Sequence, residues 1–167
     1  MKTGQPPAHA SVTELYAAHA LGLVRLAVVM LGDQQAAEDV VQDAFLGLYR
    51  HWPGLSDPAN ALTYVRSAVL NRCRNELRQR ARPGRQELVP GAGESAEAAV
   101  LIGEEHRRVL AAIRLLPGRQ REALVLRFYL DMSEEEAARV MGISRGTVKS
   151  ATHRAVAALG RMLKEEP

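Results

Sequence analysis

The sequence predicts an all-α protein with two small helical lobes joined by a flexible linker. Apolar residues recur at helical spacing over most of the 167 residues, and no segment shows the alternation of apolar and polar residues that is typical of a strand. Helix-capping residues divide these segments into separate helices. A stretch rich in proline and glycine at 83–98 then divides the chain into a first lobe at 11–82 and a second lobe at 99–164.

The overall composition is that of an ordinary folded protein. Apolar residues make up 47% of the chain, which is enough for a core, and the formal net charge is +3. Cys73 is the only cysteine, so the chain cannot form an internal disulfide, which fits a reducing compartment. We find no uninterrupted run of about eighteen apolar residues and no signal peptide. We therefore expect a cytoplasmic protein that does not insert into a membrane.

Three helices are expected in the first lobe. After a leader at 1–10 that we expect to be disordered, apolar residues at helical spacing predict a helix over 11–31 that a glycine ends. Asp33 can cap the second helix, and Trp52–Gly54 ends it. The third helix, over 57–80, opens with an Asp-Pro pair, because proline at the first helical position gives up an N–H that would be unpaired there anyway.

The second helix carries a face of acidic and amide side chains, here called the acidic face. No lysine or arginine lies between Arg25 and Arg50, so the negative charge of this face is uncompensated along the sequence. Surface carboxylates are usually only solvated, and spacing alone favours that interpretation over contact with a basic partner. The acidic face consists of Glu38, Asp39, Gln42 and Asp43.

The third helix and its exit are strongly basic. Between residues 61 and 86 seven arginines stand against one acidic residue, Glu76. Like charges repel one another and disfavour a compact chain, so such an excess calls for a partner. A polyanion is the economical explanation, because the planar fork of arginine binds two phosphate oxygens. The arginines are Arg66, Arg72, Arg74, Arg78, Arg80, Arg82 and Arg85.

The second lobe is expected to open with two helices. Helical spacing covers residues 96–115, and Pro117 and Gly118 then break the chain. A further helix is predicted over 120–129. Its expected core positions are Leu124, Val125, Leu126 and Phe128.

A helix-turn-helix is expected over 133–159. Ser133 followed by Glu136 forms a capping box at the start of its first helix. Gly142 can end that helix because glycine enters the left-handed conformation cheaply, and Ser144 can cap the second helix. Such a pair of helices can be an ordinary core element with a solvated basic face, but the exposed donors of the second helix favour DNA binding. Those donors are Arg145, Thr147, Lys149, Ser150, His153 and Arg154.

No catalytic or metal-binding pattern stands out in the sequence. The five histidines are scattered without metal-ligand spacing. No nucleophile with a matching base and no glycine-rich phosphate loop can be assigned. We therefore expect no catalytic residue, no metal, no cofactor and no small-molecule substrate.

Three sequence blocks stand out together. They are AAEDVVQDAFLGLYRHW at 36–52, LPGRQREALVLRF at 116–128 and EAARVMGISRGTVKS at 136–150. The first resembles conserved region 2, and the other two resemble region 4, of the sigma-70 family of RNA polymerase subunits. The chain thus resembles the smallest class (group 4), the extracytoplasmic-function sigma factors, in particular the actinobacterial SigE-like subfamily. The resemblance implies a region 2 three-helix bundle at 11–82 and a region 4 helix-turn-helix lobe at 99–164.

The resemblance also implies a function, which is to bind core RNA polymerase and to direct promoter-specific transcription initiation. In the family, the acidic helix of region 2 docks on the clamp helices of the polymerase β′ subunit, which gives the acidic face a partner. The next helix recognises and melts the −10 promoter element, and the matching residues are Tyr64, Arg66, Asn71, Arg74 and Arg78. Region 4 binds the β flap and reads the −35 element with the six donors of the helix-turn-helix. An anti-sigma factor that clamps the two lobes is a further implied partner.

Two other functions fit parts of the sequence. A one-component transcription regulator would combine the helix-turn-helix with an N-terminal dimerisation lobe, but such a lobe needs neither the acidic face nor the arginine-rich helix. A small nucleic-acid-processing enzyme would hold a metal with Asp39 and Asp43, but two carboxylates on one helix without a third ligand make a poor site. We favour the sigma factor.

Overall fold

The computed structural model describes residues 8–55, 57–84 and 103–165. Within these ranges the chain forms helices and turns and contains no strand, as the sequence predicts. Most of the expected leader and most of the expected linker lie outside the described residues. Residues 8–10 are helical, so the first helix begins three residues earlier than expected.

The first lobe is a bundle of three helices. They are α1 (Ala8–Leu31), α2 (Gln34–His51) and α3 (Ala61–Arg80), and α1 packs against both of the others. Two short 3₁₀ turns, Trp52–Gly54 and Pro58–Asn60, connect α2 to α3. The order of the helices is the one that the sequence predicts, and two boundaries differ: α1 begins at Ala8, and the predicted first turn of the third helix is a 3₁₀ turn.

The predicted capping residues set these boundaries. Asp33 accepts a hydrogen bond from the backbone N–H of Ala36 at 3.1 Å, and Asp57 accepts one from the N–H of Ala59 at 2.9 Å. Each carboxylate thereby satisfies an N–H that the helix itself leaves unpaired. Gly32 follows α1 with φ +70, in the left-handed region that glycine occupies without strain.

Helix α1 is long and apolar enough to cross a membrane when it is judged by length and composition alone. The stretch Ser11–Leu31 has 21 residues and a mean hydropathy of 1.5, although Glu14 and Arg25 interrupt its apolar run. In the fold, Leu23 and Leu26 of this stretch are buried in the core that α1 shares with α2 and α3. Packing inside the bundle therefore accounts for the apolar side chains on the buried face of this helix, whereas Leu21 is exposed.

The second lobe contains four helices within the described residues. They are α4 (Glu104–Leu115), α5 (Gly118–Leu124), α6 (Glu134–Met141) and α7 (Arg145–Lys164), and α5 continues into a π-helical turn, Val125–Tyr129. The long α7 packs against α4, α5 and α6. It is therefore the element around which this lobe is arranged.

The π-helical turn makes one core prediction wrong. Residues 124–126 are buried as expected, whereas Phe128 is 68% exposed. A π turn takes one more residue than an α-helical turn, so it rotates the following side chains away from the face that α-helical spacing predicts. The N–H of Leu130 donates to the carbonyl of Val125, five residues back, at 3.2 Å, as this turn requires.

The two lobes pack against each other. Helix α3 lies against α6, and α1 lies against α4 and the π turn. One cluster of buried apolar residues continues across the boundary, with Val65 and Val69 of α3 in the same cluster as Val140 and Met141 of α6. Burial of apolar surface thus helps to hold the lobes together, and the second lobe covers part of the arginine-rich α3.

A pair of glycines tests the turn between α6 and α7. Gly142 has φ +66, and a Cβ placed there would meet no other atom within 4 Å. Gly142→Ala should therefore lower the free energy of unfolding by about 1–2 kcal/mol through backbone strain alone. Gly160 lies inside α7 and is equally uncrowded. Gly160→Ala should raise the free energy of unfolding by about 0.5–1 kcal/mol, because alanine favours the helix. Urea denaturation followed by circular dichroism measures both, and shifts of the same sign would contradict this explanation.

Candidate nucleic-acid interface

The acidic face on α2 is open to solvent, and its members Glu38, Asp39, Gln42 and Asp43 are all exposed. Gln34 Nε2 donates to Glu38 Oε1 at 2.6 Å, and Gln35 Nε2 donates to Asp39 Oδ1 at 3.1 Å. Within the part of the chain that the structure describes, no lysine or arginine forms an ion pair with these carboxylates. A basic partner can therefore approach this face without displacing an internal cation.

An apolar groove borders the acidic face. It lies between α1 and α2, has a volume of about 530 Å³, and includes Glu38 and Gln42 in its lining. Two large apolar side chains along it are exposed, Tyr16 by 50% and Leu21 by 64%. Exposed apolar side chains with a charged rim are typical of a surface that binds another protein.

Three of the predicted −10 residues are accessible on α3. Arg78 is exposed, and Tyr64 is half-buried with its ring centre 5.8 Å from that of His51. Asn71 is exposed, although its side-chain oxygen accepts a hydrogen bond from Arg74 Nη1 at 2.7 Å. These three side chains place an aromatic ring, an amide and a cation along one accessible part of the helix.

Arg74, a fourth predicted −10 residue, is held by the second lobe. Its Nε donates to Glu122 Oε1 at 2.6 Å, and its Nη2 donates to Glu122 Oε2 at 2.6 Å, so the two residues form a bidentate ion pair between α3 and α5. Glu122 is only 2% exposed. The hydrogen bonds to Glu122 raise the pKa of Arg74, which therefore carries its charge at every physiological pH.

Arg66, the fifth predicted −10 residue, lies at the same boundary between the lobes. It is half-buried, and this burial lowers its pKa while the charge of Glu136 on α6 opposes that shift. Burial, together with the charge of Arg66, lowers the pKa of His19 on α1. Two of the five predicted −10 residues thus interact with the second lobe.

The helix-turn-helix has the predicted geometry. Ser133 Oγ accepts from the N–H of Glu136 at 3.1 Å, and Glu136 Oε2 accepts from the N–H of Ser133 at 2.8 Å, which completes the capping box. The bond from the Ser133 backbone lowers the pKa of Glu136. Gly142 follows α6 with a left-handed backbone. Ser144 then caps α7 by accepting from the N–H of Thr147 at 3.1 Å.

The exposed face of α7 contains both engaged and free side chains. Arg145 donates from Nε to Glu134 at 3.1 Å and from Nη1 to Glu135 at 3.2 Å. The hydroxyl of Thr147 lies 2.7 Å from that of Ser144 and so belongs partly to the helix cap. The other predicted −35 residues are exposed and make no hydrogen bond or ion pair with any residue that the structure describes; they are Lys149, Ser150, His153 and Arg154.

The sequence analysis missed the residues that join the lobes. Besides Glu122, these are Ser67, whose Oγ donates to the carbonyl of Val140 at 2.9 Å, and Arg114, whose guanidinium lies over Gly32 and leaves no room for a Cβ there. One signal was present in the sequence, because Glu122 directly precedes a run of four apolar residues. A carboxylate next to core positions of a helix is a candidate for a buried ion pair.

Both lobes match known sequence families. Residues 15–83 match the family described as Sigma-70 region 2, and residues 106–159 match the family described as Sigma-70, region 4. A curated relative, the ECF RNA polymerase sigma factor SigM of Mycobacterium tuberculosis (strain H37Rv), is 31% identical over 153 residues, which are 90% of this chain and 76% of the relative. This chain is an extracytoplasmic-function sigma factor. The resemblance drawn from the sequence blocks is confirmed.

Two Streptomyces relatives agree with this assignment. RNA polymerase sigma-E factor of Streptomyces avermitilis is 34% identical over 145 residues, which are 85% of this sigma factor and 79% of the relative. The protein of the same name from Streptomyces coelicolor is 32% identical over 140 residues, or 82% of this chain and 77% of the relative. Because the first lobe matches region 2 and these relatives are sigma factors, the one-component regulator is not favoured.

Two solved structures share the fold of this sigma factor. CnrH, in complex with the cytosolic domain of CnrY, has a TM-score of 0.73 and 26% identity, and the match covers 96% of each chain. The sigma factor RpoE from Bartonella quintana, in complex with the anti-sigma factor NepR, has a TM-score of 0.68 and 20% identity, covering 93% of this chain and 98% of that one. Both matches span the two lobes.

The enzyme hypothesis would need a metal at Asp39 and Asp43. Among residues 8–55, 57–84 and 103–165, no group of three His, Cys, Asp or Glu side chains is close enough to hold a metal ion. Asp39 and Asp43 therefore have no third ligand within that part of the sigma factor.

The thiol of Cys73 gives a test of the core beside Arg74. Cys73 is fully buried on α3, and burial, reinforced by the negative charge of Glu122, raises its pKa to about 12. The thiolate is the reactive form, so the native chain should react with DTNB at pH 8 roughly a thousandfold more slowly than the chain unfolded in urea. Absorbance at the thiolate product band measures both rates. A native rate within about tenfold of the unfolded rate would show that Cys73 is accessible in solution.

Proposed function

We propose that this sigma factor binds core RNA polymerase through the acidic face of α2 and then directs initiation at its promoters, with no catalytic step of its own. The observation that carries the proposal is the uncompensated acidic face beside an exposed apolar groove. The β′ clamp helices are the partner that the family implies, and opposite charge would steer their encounter with this face. The groove adds the apolar contact area that a stable protein interface needs.

We assign the −10 promoter element to α3. Its accessible part combines the ring of Tyr64, the amide of Asn71 and the guanidinium of Arg78. An aromatic ring that stacks on an unpaired base contributes about 1–3 kcal/mol, so Tyr64 can stabilise opened strands. Arg66 and Arg74 would join this surface when the second lobe moves away from α3.

We assign the −35 promoter element to α7, because the major groove of DNA admits an α-helix. Arg145 and Thr147 lie at its N-terminal end, where recognition helices contact base edges. The ion pairs of Arg145 with α6 would orient its guanidinium before DNA binds. The free side chains further along α7, including the cations of Lys149 and Arg154, would reach phosphates and the adjoining bases.

We infer that the second lobe also binds the β flap and that an anti-sigma factor is a further partner. The similarity to CnrH, which was solved in complex with the cytosolic domain of CnrY, supports a protein partner of this kind. We further infer that the sigma factor acts in the cytoplasm, where core polymerase and promoters meet.

Run-off transcription tests the polymerase contact. Core polymerase, a promoter library and this sigma factor should give transcripts that core alone does not give. Asp39→Lys with Asp43→Lys should lower the transcript yield at least about tenfold, because the reversed charges repel a basic clamp surface. Glu14→Lys with Glu165→Lys is the matched control; it changes the net charge equally at exposed positions outside the acidic face and should keep the yield.

Two results would contradict the polymerase contact. An equal loss in both double variants would show that net charge, and not the acidic face, governs the yield. If the native chain gave no transcript and bound duplex DNA tightly and specifically without polymerase, the one-component regulator would be the better explanation.

The cations of α7 should act mainly through phosphates. Lys149→Ala and Arg154→Ala should each weaken binding of the polymerase complex to every −35 sequence, and each should reduce the slope of log affinity against log salt by about 1. Fluorescence anisotropy with labelled promoter duplexes between roughly 50 and 200 mM salt measures the slope. Lys164→Ala, at the far end of α7, is the control and should leave the slope of log affinity against log salt unchanged. A changed sequence preference with an unchanged slope would instead assign that residue to a base.

A further inference from the structure

We propose that Arg145 reads a guanine of the −35 element and that Glu134 and Glu135 position its guanidinium for that contact. The proposal rests on the assignment of α7 to the −35 element. It goes beyond that assignment because it names the base and separates a base-reading cation from the phosphate-binding cations of the same helix. It also identifies two positioning residues on α6, which the spacing of the helix-turn-helix does not reveal.

Arg145 lies at the N-terminal end of α7. It is the first residue of the helix, and its side chain is 65% exposed. Recognition helices contact base edges with their N-terminal residues. Gly142, with its left-handed backbone, and Ser144, which caps α7 through the N–H of Thr147, define the turn that leads from α6 into this end of the helix. The turn therefore fixes the backbone of Arg145 relative to α6.

Two carboxylates of α6 determine which donors of Arg145 remain free. Its Nε donates to Glu134 Oε2 at 3.1 Å, and its Nη1 donates to Glu135 Oε1 at 3.2 Å. A guanidinium has five N–H donors, so one donor on Nη1 and both donors on Nη2 remain at the end of the side chain. The side edge that Nε forms with Nη2 could otherwise hold two phosphate oxygens. With Nε engaged, that edge is incomplete.

The remaining donors match guanine better than any other base. In the major groove guanine presents two adjacent acceptors, O6 and N7, whereas adenine presents one acceptor and one donor. Cytosine presents a donor at N4, and thymine presents a single acceptor beside its methyl group. The end of the Arg145 guanidinium offers donors only, so guanine alone can accept two hydrogen bonds from it.

The charge around Arg145 disfavours a phosphate as its ligand. An open hollow of about 330 Å³ lies beside the guanidinium, and two carboxylates balance two cations around it. Its lining consists of Arg127, Ser133, Glu134, Glu135 and Arg145. Phosphate binding depends on uncompensated positive charge, whereas a base edge needs only correctly placed donors. Lys149 and Arg154, which form no ion pair with any residue that the structure describes, supply the uncompensated charge further along α7.

Fluorescence anisotropy of the polymerase complex on labelled promoter duplexes measures base reading. The duplexes carry each base in turn at every position of the −35 element found by run-off transcription. The native chain should prefer guanine at one position, on either strand, by at least about tenfold. Arg145→Ala should reduce that preference to about twofold or less. It should leave the affinity for the other bases and the slope of log affinity against log salt unchanged.

Removal of the two carboxylates tests their positioning role. Glu134→Ala with Glu135→Ala should lower the guanine preference at least about threefold, although Arg145 itself is unchanged. It should also raise the salt slope by about 1, because the released guanidinium can then reach a phosphate; a merely structural role would not raise the slope. The matched control is Glu104→Ala with Glu105→Ala, an exposed pair in the first turn of α4, which should change neither value.

Several results would overturn the proposal. If Arg145→Ala weakens binding to every −35 sequence and reduces the slope by about 1, Arg145 contacts a phosphate. If it removes a preference for another base, guanine is the wrong base. A folded double variant of Glu134 and Glu135 with the native preference and slope, or an equal effect in the control, would contradict the positioning role. If that double variant loses helix content by circular dichroism, the single changes Glu134→Ala and Glu135→Ala decide in the same way.

Failure of this proposal and failure of the proposed function give different results. A native complex that yields transcripts and shows no guanine preference lost in Arg145→Ala would refute the base assignment and leave the sigma function intact. A native chain that yields no transcript with core polymerase would refute the function itself, and the guanine assignment with it.

Discussion

The burial of Glu122 is the constraint on which the arrangement of the two lobes depends. A carboxylate in the interior has to be neutralised. Its bidentate partner, the guanidinium of Arg74, belongs to the other lobe, while Nη1 of the exposed Arg119 lies 4.0 Å from Glu122 Oε2 within α5 itself. Apolar packing is non-directional, whereas a bidentate ion pair fixes the orientation of both groups. The pair between Arg74 and Glu122 therefore links α5 to α3 in one orientation, and it engages an arginine that we assign to the −10 element.

Negative and positive charge lie on different helices of the first lobe. The acidic face occupies the exposed side of α2, whereas the arginines concentrate on α3. A sigma factor has to contact polymerase and promoter at the same time, and this segregation gives each partner a surface of its own. In the structure the acidic face is accessible, while the second lobe covers part of α3.

The two helices that we propose bind DNA are unequally accessible in the structure. The side chains of Lys149, Ser150, His153 and Arg154 on α7 stay exposed, whereas Arg66 and Arg74 on α3 interact with the second lobe. The side of the second lobe that closes on α3 is formed by α5 and α6, and the helix proposed to read DNA lies behind them. One lobe can thus cover the surface of the other and keep its own recognition helix free.

The sequence by itself determined the order of the helices, most of their ends and the family. Asp33, the capping box at 133–136 and Gly142 act on backbone groups within a few residues of themselves, so their effects can be predicted from short stretches. Only the tertiary structure decided the exposure of Phe128, because apolar spacing does not reveal the extra residue of a π turn. It alone also decided the ion pair between Arg74 and Glu122, which are 48 residues apart. Such a pair depends on how whole helices pack, and no local pattern specifies that.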